Sequence, residues 1–466
     1  MSTKSRRELL ATAGRGFGAI AASSLLPLSA GPLSSKPPHQ PARAKAVIYL
    51  HMHGGVSHVD TWDPKPELTR LSGQTLPASF VKGLKTSRID FTKALARGSA
   101  WPFRKYGQSG LEISSLFPHI ASHADGIALV RSCHGDAFDH SPAMYSLATG
   151  SQFPGRPCLG SWVSYGLGTE NQNLPAFVVM TDGAMKCGPQ GYGAGFLPAV
   201  YQGTMFRGGK SPVLDLANPD GISAATQRET LDLVADLDRG HLSTRPFDSD
   251  LEARLESYEL AFRMQSEAPD AVDLTKESDA TKRLYGIGEG LSDEFGKKCL
   301  LARRLVERGV RFIHLYSGTH LGDDWDKAHD DLTGSHNKMA AKTDKPISGL
   351  LKDLKARGLL DSTLLIWGSE FGRTPLAEGR NGRDHHPYAF SMWFAGAGVQ
   401  GGRTFGSTDE FGLRPVENPL LSHDINATIL RMLGLDHLKL TYFYQGRDMR
   451  LTDVHGENEF TKFLVG

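Results

Sequence analysis

Short apolar runs that alternate with amphipathic segments constrain the fold of this chain more than any other feature. The runs are rich in β-branched and aromatic residues, which is typical of buried strands. Between them lie segments with apolar residues at helical spacing. This alternation predicts an α/β fold, a doubly wound and mostly parallel sheet covered by helices on both faces. The predicted strands are residues 46–50, 126–131, 175–181, 311–316, 363–367 and 391–395, and the predicted helices are 141–149, 251–265, 291–308, 336–357 and 423–433.

The length and charge of the chain narrow the classes of protein to consider. Its 466 residues can form one large domain with insertions, or two domains. We expect a single domain over 45–466, with an inserted lobe around 183–245. The net charge of +1 gives no overall field that favours nucleic acid or an anionic membrane. No nucleic-acid partner is therefore expected.

The N-terminal residues resemble a twin-arginine export signal. Arg6 and Arg7 precede a moderately apolar segment, residues 16–28, which is too short and too rich in glycine and serine for a comfortable membrane span. A lipid-embedded anchor is the alternative. Cleavage would follow Ala30 or Ala44. We therefore expect residues 1–44 to be a signal and linker, and the mature protein to be periplasmic or extracellular, without an integral membrane segment.

Four cysteines lie far apart and form no CxxC motif. An oxidising compartment would permit disulfides, but a chain of this size does not need them. We expect Cys133, Cys158, Cys187 and Cys299 to be small buried hydrophobic residues.

The most informative stretch is residues 362–387, where a buried strand is followed by acidic, basic and imidazole side chains. In open α/β sheets, ligands bind outside the carboxyl ends of the strands. Glu370, Arg373 and the pair His385 and His386 are thus suited to a divalent metal and a bound anion. The alternative is a surface ion pair between Glu370 and Arg373, with the histidines in a solvated loop.

Other predicted strands also end in histidine and acid. A lone histidine there is usually structural, but many at one edge of a sheet favour a metal site assembled from loops. Imidazole with carboxylate suits Zn, Mn, Fe or Ni, whereas an all-oxygen set suits Mg or Ca. The residues concerned are His51, His53, Ser57, His58 and Asp60; His134, Asp136, Asp139 and His140; His320, Asp323, Asp324, Asp326 and His329; and Asp384 with His385 and His386.

One motif is misleading. Residues 396–402 match GxGxxG after a strand, but the residues that follow do not open a helix, so no helix N-terminus is available for a pyrophosphate. We interpret this segment as a glycine turn.

Several long motifs resemble a family of exported bacterial proteins of unknown function. These motifs are His53-Gly54-Gly55-x-Ser57-His58-x-Asp60, Trp325-Asp326-x-x-His329, Gly368-Ser369-Glu370-Phe371-Gly372-Arg373-Thr374-Pro375 and Gly382-Arg383-Asp384-His385-His386-Pro387. Members of that family carry twin-arginine leaders and are assigned to the alkaline phosphatase and sulfatase superfamily. The resemblance implies that superfamily's α/β fold, a divalent metal (Zn first, with Mn, Fe or Ca as alternatives), and a small-molecule or glycan ester as substrate.

The resemblance also implies roles for individual residues. His140 falls where sulfatases carry their modified cysteine, and Ser141 lies one position from the place of a phosphatase nucleophile. His140 would be a base or a ligand, Ser141 a displaced nucleophile, and Arg373 a bidentate partner for an oxyanion or a structural partner of an acid. The implied metal ligands are Asp60 (or His58), Asp326, His329, Glu370 and His385 or His386.

Two functions remain open at this point. The first is a metal-dependent hydrolase of phosphate or sulfate esters, in which water attacks directly. The second is a protein on the same scaffold that binds a metal or an anion without turnover.

Overall fold

The chain is built on one eight-stranded sheet. The structure, a computed structural model, describes residues 31–207, 213, 216–244 and 249–465. The strands are β1 (Ala46–Met52), β2 (Ala128–Cys133), β3 (Phe177–Met180), β4 (Thr204–Phe206), β5 (Phe312–Ser317), β6 (Thr363–Gly368), β7 (Phe390–Ala395) and β8 (Arg403–Phe405). They lie in the order β8–β2–β7–β6–β1–β5–β3–β4. Only β7 runs antiparallel to its neighbours among the strands of this sheet. The predicted α/β class and mostly parallel sheet are confirmed.

Helices cover both faces of this sheet. The longer ones are α1 (His140–Thr149), α2 (Leu159–Leu167), α3 (Ala224–Thr244), α4 (Ser249–Val272), α5 (Asp293–Glu307), α6 (Leu332–Ala356) and α7 (Ser422–Met432). Shorter helices are His58–Thr61, Pro66–Arg70, Ala78–Val81, Asp279–Leu284 and Phe460–Val465. Turns of 3-10 helix are Ile120–Gly126, Gly188–Tyr192, Ala199–Tyr201, Leu274–Lys276, Gly290–Ser292, Trp325–His329 and Leu360–Ser362.

Four two-stranded ribbons surround the main sheet. They pair Phe103–Tyr106 with Leu111–Ser114, Gly372–Arg373 with His385–His386, Ser407–Thr408 with Pro415–Glu417, and Tyr442–Tyr444 with Arg447–Met449. The second ribbon matters most for function, because it brings two distant parts of the 362–387 stretch side by side.

Alternation along the central strand divides the core into two layers. Val47 and Tyr49 belong to the apolar cluster that includes residues of α1, α2 and α7, whereas Ile48 and Leu50 belong to the cluster formed with α5 and α6. Successive side chains of a strand point to opposite faces, so a central strand with helices on both faces is apolar throughout. This explains why β1 is entirely buried.

The structure describes part of the predicted linker and most of the segment predicted as an inserted lobe. Residues 31–44, expected to be linker, pack on the domain: Leu33 and Ala44 are buried, and Arg43 N–H donates to the Met432 carbonyl at 2.9 Å. In the segment predicted as an inserted lobe, β4 joins the edge of the main sheet, while α3 packs on α4 through bonds from Arg228 to Glu259. The predicted export signal falls mostly on residues 1–30, outside the described residues.

Several smaller predictions can be compared directly with the structure. The four cysteines are buried thiols without disulfide bonds, as expected. The segment 396–402 is a turn with positive φ at Gly396, Ala397, Gly398 and Gly402, and the strand β8 follows it, which confirms the glycine-turn interpretation. No helix in the described part of the chain is long and apolar enough to cross a membrane.

Candidate metal centre

Three adjacent parallel strands deliver polar side chains to one edge of the sheet. β1 is hydrogen-bonded to β5 on one side and to β6 on the other, so the carboxyl ends of these strands meet. His51 lies at the end of β1, Asp326 follows β5, and Glu370 follows β6. His140 joins them from the first position of α1. The edge predicted from the sequence therefore exists and is lined by acids and imidazoles.

Local geometry determines which side chains point inward. Asp326 and His329 lie three residues apart in the 3-10 helix Trp325–His329, and residues at that spacing share a face of a 3-10 helix. His385 pairs with Arg373 across the short ribbon. Because neighbouring residues of a strand point to opposite sides, His385 faces Asp326 whereas His386 faces away.

One carboxylate oxygen is the centre of the cluster. Asp326 Oδ1 lies 2.9 Å from Nε2 of His140, 3.4 Å from Nε2 of His329 and 3.0 Å from Nε2 of His385. The Nε2 atoms of His329 and His385 are 2.9 Å apart. Although His140 Nε2 is close to the carboxylate, it has no hydrogen-bond partner of acceptable geometry among the described residues.

Each of the three imidazoles has its Nδ1 held by an oxygen that only accepts hydrogen bonds. The pairs are His140 with Glu370 Oε1 at 2.6 Å, His385 with the Phe138 carbonyl oxygen at 2.6 Å, and His329 with Glu378 Oε2. Each Nδ1 therefore donates its hydrogen to that oxygen, which directs the Nε2 atom of each ring towards Asp326. Histidines that bind metals are oriented in this way.

The donor set fits a divalent cation. The ligand atoms of His140, Asp326 and His385 lie within 4.8 Å of one another. Donors at about 2.0–2.2 Å from a tetrahedral zinc ion would lie roughly 3.3–3.6 Å apart. The separations of 2.9–3.4 Å among the Nε2 atoms and Asp326 Oδ1 lie at or slightly below this range, so a small outward movement of the donors would admit the ion. The two imidazoles and one carboxylate of this group favour Zn, Mn or Fe over Ca, and His329 adjoins the group through His385.

The surroundings shift the pKa values of the histidines in different directions. Burial alone would lower the pKa of His140, but the carboxylates of Asp326 and Glu370 outweigh burial and raise that pKa above its usual value. Burial lowers the pKa of His385 to about 3 and that of His53 to about 4. Burial would raise the pKa of Asp326, yet the nearby rings of His140, His329 and His385 and the charge of Arg373 depress it strongly, so the carboxylate is ionised.

Glu370 and Arg373 are buried and orient members of the cluster: Glu370 contacts His140, and Arg373 contacts Asp326. Glu370 is buried and accepts from Gly54 N–H at 2.8 Å, in addition to its contacts with His140 and with His51 Nε2 at 3.1 Å. Its oxygens are thus engaged in orienting His140, which differs from the predicted role as a ligand. Arg373 is fully buried and donates to Asp326 Oδ1 at 2.6 Å and to the carbonyl of Gly55 at 2.9 Å. Of the two predicted roles of Arg373, the contacts fit the structural one.

Other predicted residues lie away from the convergence point, which is the place near Asp326 Oδ1 where the Nε2 atoms of His140, His329 and His385 meet. Asp60 forms a 2.8 Å ion pair with Arg383 Nε and accepts from Ser57 Oγ at 2.5 Å, so its oxygens are already bound. His386 Nε2 donates to the Leu413 carbonyl at 2.9 Å, and His58 Nε2 donates to the Gly412 carbonyl at 2.8 Å. The structure therefore does not bring Asp60, His58 or His386 to the convergence point, and Nδ1 of both histidines has no hydrogen-bond partner among the described residues.

Ser141 adjoins the cluster without joining it. Its hydroxyl is half-buried and donates to the Lys186 carbonyl at 2.7 Å. This contact does not favour the predicted role as a displaced nucleophile.

An open cleft of about 430 Å³ leads to the cluster. Its lining is Ser87, Arg88, Phe138, Asp139, His140, Ser141, Met185, Lys186, His320, Asp326 and His385. The side chain of Asp326 is 21% exposed, and Lys186 Nζ lies 2.5 Å from Asp326 Oδ2. A solute that enters the cleft would contact His140, Asp326 and His385 and also the ammonium group of Lys186.

Sequence reasoning missed three side chains that lie at the candidate site: Lys186, Glu378 and Arg88. Glu378 was detectable, since it is an acid within the stretch 362–387. Lys186 and Arg88 come from long irregular segments whose path no periodicity predicts. A further group, His329, Asp384 and His385, also has its ligand atoms close together. Both oxygens of Asp384 already accept backbone N–H groups, from His385 at 2.8 Å and from Arg88 at 2.6 Å.

Solved structures similar to this chain include sulfatases and phosphatases. The PsFucS1 sulfatase from Pseudoalteromonas sp. aligns with a TM-score of 0.38 and 14% identity, over 100% of this chain and 76% of that chain. Alkaline phosphatase from the Antarctic bacterium TAB5 aligns with a TM-score of 0.33 and 11% identity, over 77% and 92% of the two chains. The lipoteichoic acid synthase LtaP from Listeria monocytogenes gives a TM-score of 0.36 and 10% identity, over 90% and 78%.

These likenesses concern the fold, and with TM-scores below 0.5 nothing about activity follows from them. No curated protein matches the chain by sequence. A family profile does match it: residues 44–460 correspond to "Protein of unknown function (DUF1501)". Nearly the whole described domain is covered by that match, and the chain therefore belongs to the DUF1501 family.

Proposed function

We propose that the protein is a metal-dependent hydrolase of phosphate or sulfate esters. The observation that carries the proposal is that the Nε2 atoms of three imidazoles surround one oxygen of an ionised aspartate. His140, Asp326, His329 and His385 would hold the cation, and Glu370, Glu378 and the Phe138 carbonyl would orient the imidazoles. Zinc is the first choice of metal, with manganese and iron as alternatives.

A bound divalent cation would supply positive charge to a developing oxyanion and lower the pKa of a water. The chain's own residues would perform the remaining tasks. Lys186 lies at the cleft beside Asp326, where its ammonium would attract and orient an anionic ester. Arg373 fixes the Asp326 carboxylate through a buried guanidinium, so the donor atoms would need little rearrangement.

Water, rather than a side chain, would be the attacking group. His140 occupies the first position of α1 and directs both ring nitrogens to carboxylates, and the Ser141 hydroxyl is bound to a carbonyl. The same observation favours the second candidate, a protein that binds a metal or an anion without turnover. The two candidates differ only in whether an ester is hydrolysed.

The decisive experiment combines metal analysis with an ester panel. Purified protein would be stripped with a chelator, reconstituted separately with zinc, manganese and iron, and assayed with 4-nitrophenyl phosphate and 4-nitrophenyl sulfate across pH. Metal-dependent turnover that is lost in Asp326→Asn would support the hydrolase. Stoichiometric metal without turnover would support the binding protein. Absence of metal binding would refute the hydrolase and a metal-binding role, and would leave only the binding of an anion.

Export by the twin-arginine route remains part of the proposal. It rests on Arg6, Arg7 and the apolar segment that follows them. The test is fractionation of cells that express the full chain. Loss of the protein from the periplasmic fraction in the variant Arg6→Lys/Arg7→Lys is the expected result, and unchanged export would contradict this route.

A further inference from the structure

A loop from the N-terminal part of the chain is attached directly to the candidate metal centre. Asp384 Oδ2 accepts the N–H groups of Arg88 at 2.6 Å and Ile89 at 3.2 Å, while Oδ1 accepts the N–H of His385 at 2.8 Å. Asp384 is completely buried. One carboxylate thus joins the backbone of residues 88–89 to the strand that carries a proposed ligand.

This attachment brings Arg88 to the cleft. The Arg88 side chain is 55% exposed, and Nη1 lies 3.6 Å from Glu378 Oε1. The other oxygen of Glu378 contacts His329 Nδ1. The guanidinium of Arg88 is therefore separated from the convergence point by one carboxylate and one imidazole, and Arg88 and Lys186 both line the cleft.

The backbone of Arg88 is held firmly, but its side chain is not. A guanidinium has five N–H donors, and the ion pair with Glu378 is longer than a direct hydrogen bond. An exposed ion pair of this kind contributes little to stability. Reorienting the guanidinium towards an anion in the cleft would therefore cost little, and the planar fork suits phosphate, sulfate and carboxylate groups.

We propose that Arg88 determines specificity by binding a second anionic group of the substrate. This inference rests on the proposed function, in which the first anionic group lies at the metal beside Lys186. The preferred substrates then carry a phosphate, sulfate or carboxylate next to the ester that is cleaved. Esters with a single anionic group still bind at the metal, but less tightly than esters that carry the second group.

Calorimetric titration of the zinc-loaded protein with sugar phosphates tests the inference. Glucose 1,6-bisphosphate should bind about tenfold to a hundredfold more tightly than glucose 6-phosphate, as expected for a charge-assisted contact. The variant Arg88→Ala should abolish that preference, and Arg88→Lys should retain part of it. The control Arg70→Ala removes an arginine of comparable exposure that pairs with Glu67, and it should leave the preference unchanged.

Two results would overturn the inference in distinguishable ways. If zinc analysis shows that no variant, nor the wild type, holds metal, the proposed function fails and the role of Arg88 fails with it. If zinc is bound but the wild type shows no preference, or Arg88→Ala keeps the full preference, the role of Arg88 alone is wrong. A glucuronic acid phosphate in the same titration distinguishes a carboxylate from a phosphate as the second group.

Discussion

Two aspartate–arginine pairs near the same edge of the sheet have different surroundings. Asp60 and Arg383 are both completely buried, and the aspartate is enclosed by Arg383 and Ser57. Asp326 is also paired with a buried arginine, Arg373, but its carboxylate is 21% exposed and meets three imidazole nitrogens.

The difference explains why one aspartate is structural and the other suits a metal. Both carboxylates accept from cationic donors, but those of Asp60 are fixed by burial and no imidazole nitrogen of the described residues approaches its oxygens. Asp326 adds three imidazole Nε2 atoms around one oxygen and faces an open cleft, so further donors to a cation are available beside it. The nature of the neighbours, and not the Asp–Arg pairing itself, decides the role.

The largest expected effect is on stability, at the buried pair. Asp60→Asn leaves the Arg383 charge without a partner, which we expect to lower the free energy of unfolding by about 3–5 kcal/mol. Urea denaturation measures this. The double variant Asp60→Leu/Arg383→Met should recover much of the loss, because it removes both charges. An unchanged unfolding midpoint in Asp60→Asn would show that the pair contributes nothing.

The pH dependence of that effect follows from the pKa of Asp60. Burial would raise this pKa, but Arg383 and Ser57 lower it below 3.8. A carboxyl with a lowered pKa in the folded state stabilises the protein above its unfolded pKa, and that stabilisation is lost as the pH falls through the folded value. The stability difference between wild type and Asp60→Asn should thus be constant from pH 7 to about 5 and decrease only below about 4. A decrease already at pH 6 would contradict this assignment.

The second-largest effect is expected on zinc affinity, when Asp326 of the partly exposed pair is replaced. Asp326→Ala removes the oxygen at the centre of the cluster. We expect zinc affinity to fall by more than about a hundredfold, beyond the loss typical of residues that only orient a ligand. Competition with a chromophoric chelator measures it. Asp60→Asn is the matched control, and comparable zinc loss in that variant, while folded, would remove the distinction between the two pairs.

A smaller loss of zinc affinity is expected at Glu370. Because Glu370 orients His140 and does not face the donors, Glu370→Gln should reduce the affinity by about tenfold to a hundredfold. The surface variant Glu417→Gln should have no effect. A loss as large as that of Asp326→Ala would mean that Glu370 binds the metal itself.

The smallest effect is expected at Ser141. Ser141→Ala removes one hydrogen bond to the Lys186 carbonyl, which is worth about 0.5–1.5 kcal/mol. Ester turnover should therefore change by less than about tenfold. A loss of several orders of magnitude would identify Ser141 as the nucleophile and would refute direct attack by water.

Much of the fold was predictable because it depends on local patterns. All six predicted strands and all five predicted helices occur, with ends displaced by up to seven residues. β4 and β8 were missed because three residues carry no periodicity of their own. The antiparallel direction of β7 was missed because an apolar run reads the same in either direction.

The site was predictable in part. Asp326, His329 and His385 were recognised by residue type and by their position after strands, and the structure brings them together with His140. Asp60 and His386 have the same residue types and similar positions, but they face other partners. Residue type and position did not distinguish the two groups, since the direction of a side chain depends on the ribbon and loops around it.

The sequence by itself determined the α/β class, the edge of the sheet where function would lie and the kinds of donor available there. These properties follow from periodicity and from the rule that parallel strands end together. Only the tertiary structure decided which oxygens and nitrogens are available to a cation and which are hydrogen-bonded to an arginine or to the backbone. That decision depends on contacts between residues as distant as Asp60 and Arg383, or Arg88 and Asp384, and such contacts leave no local pattern in the chain.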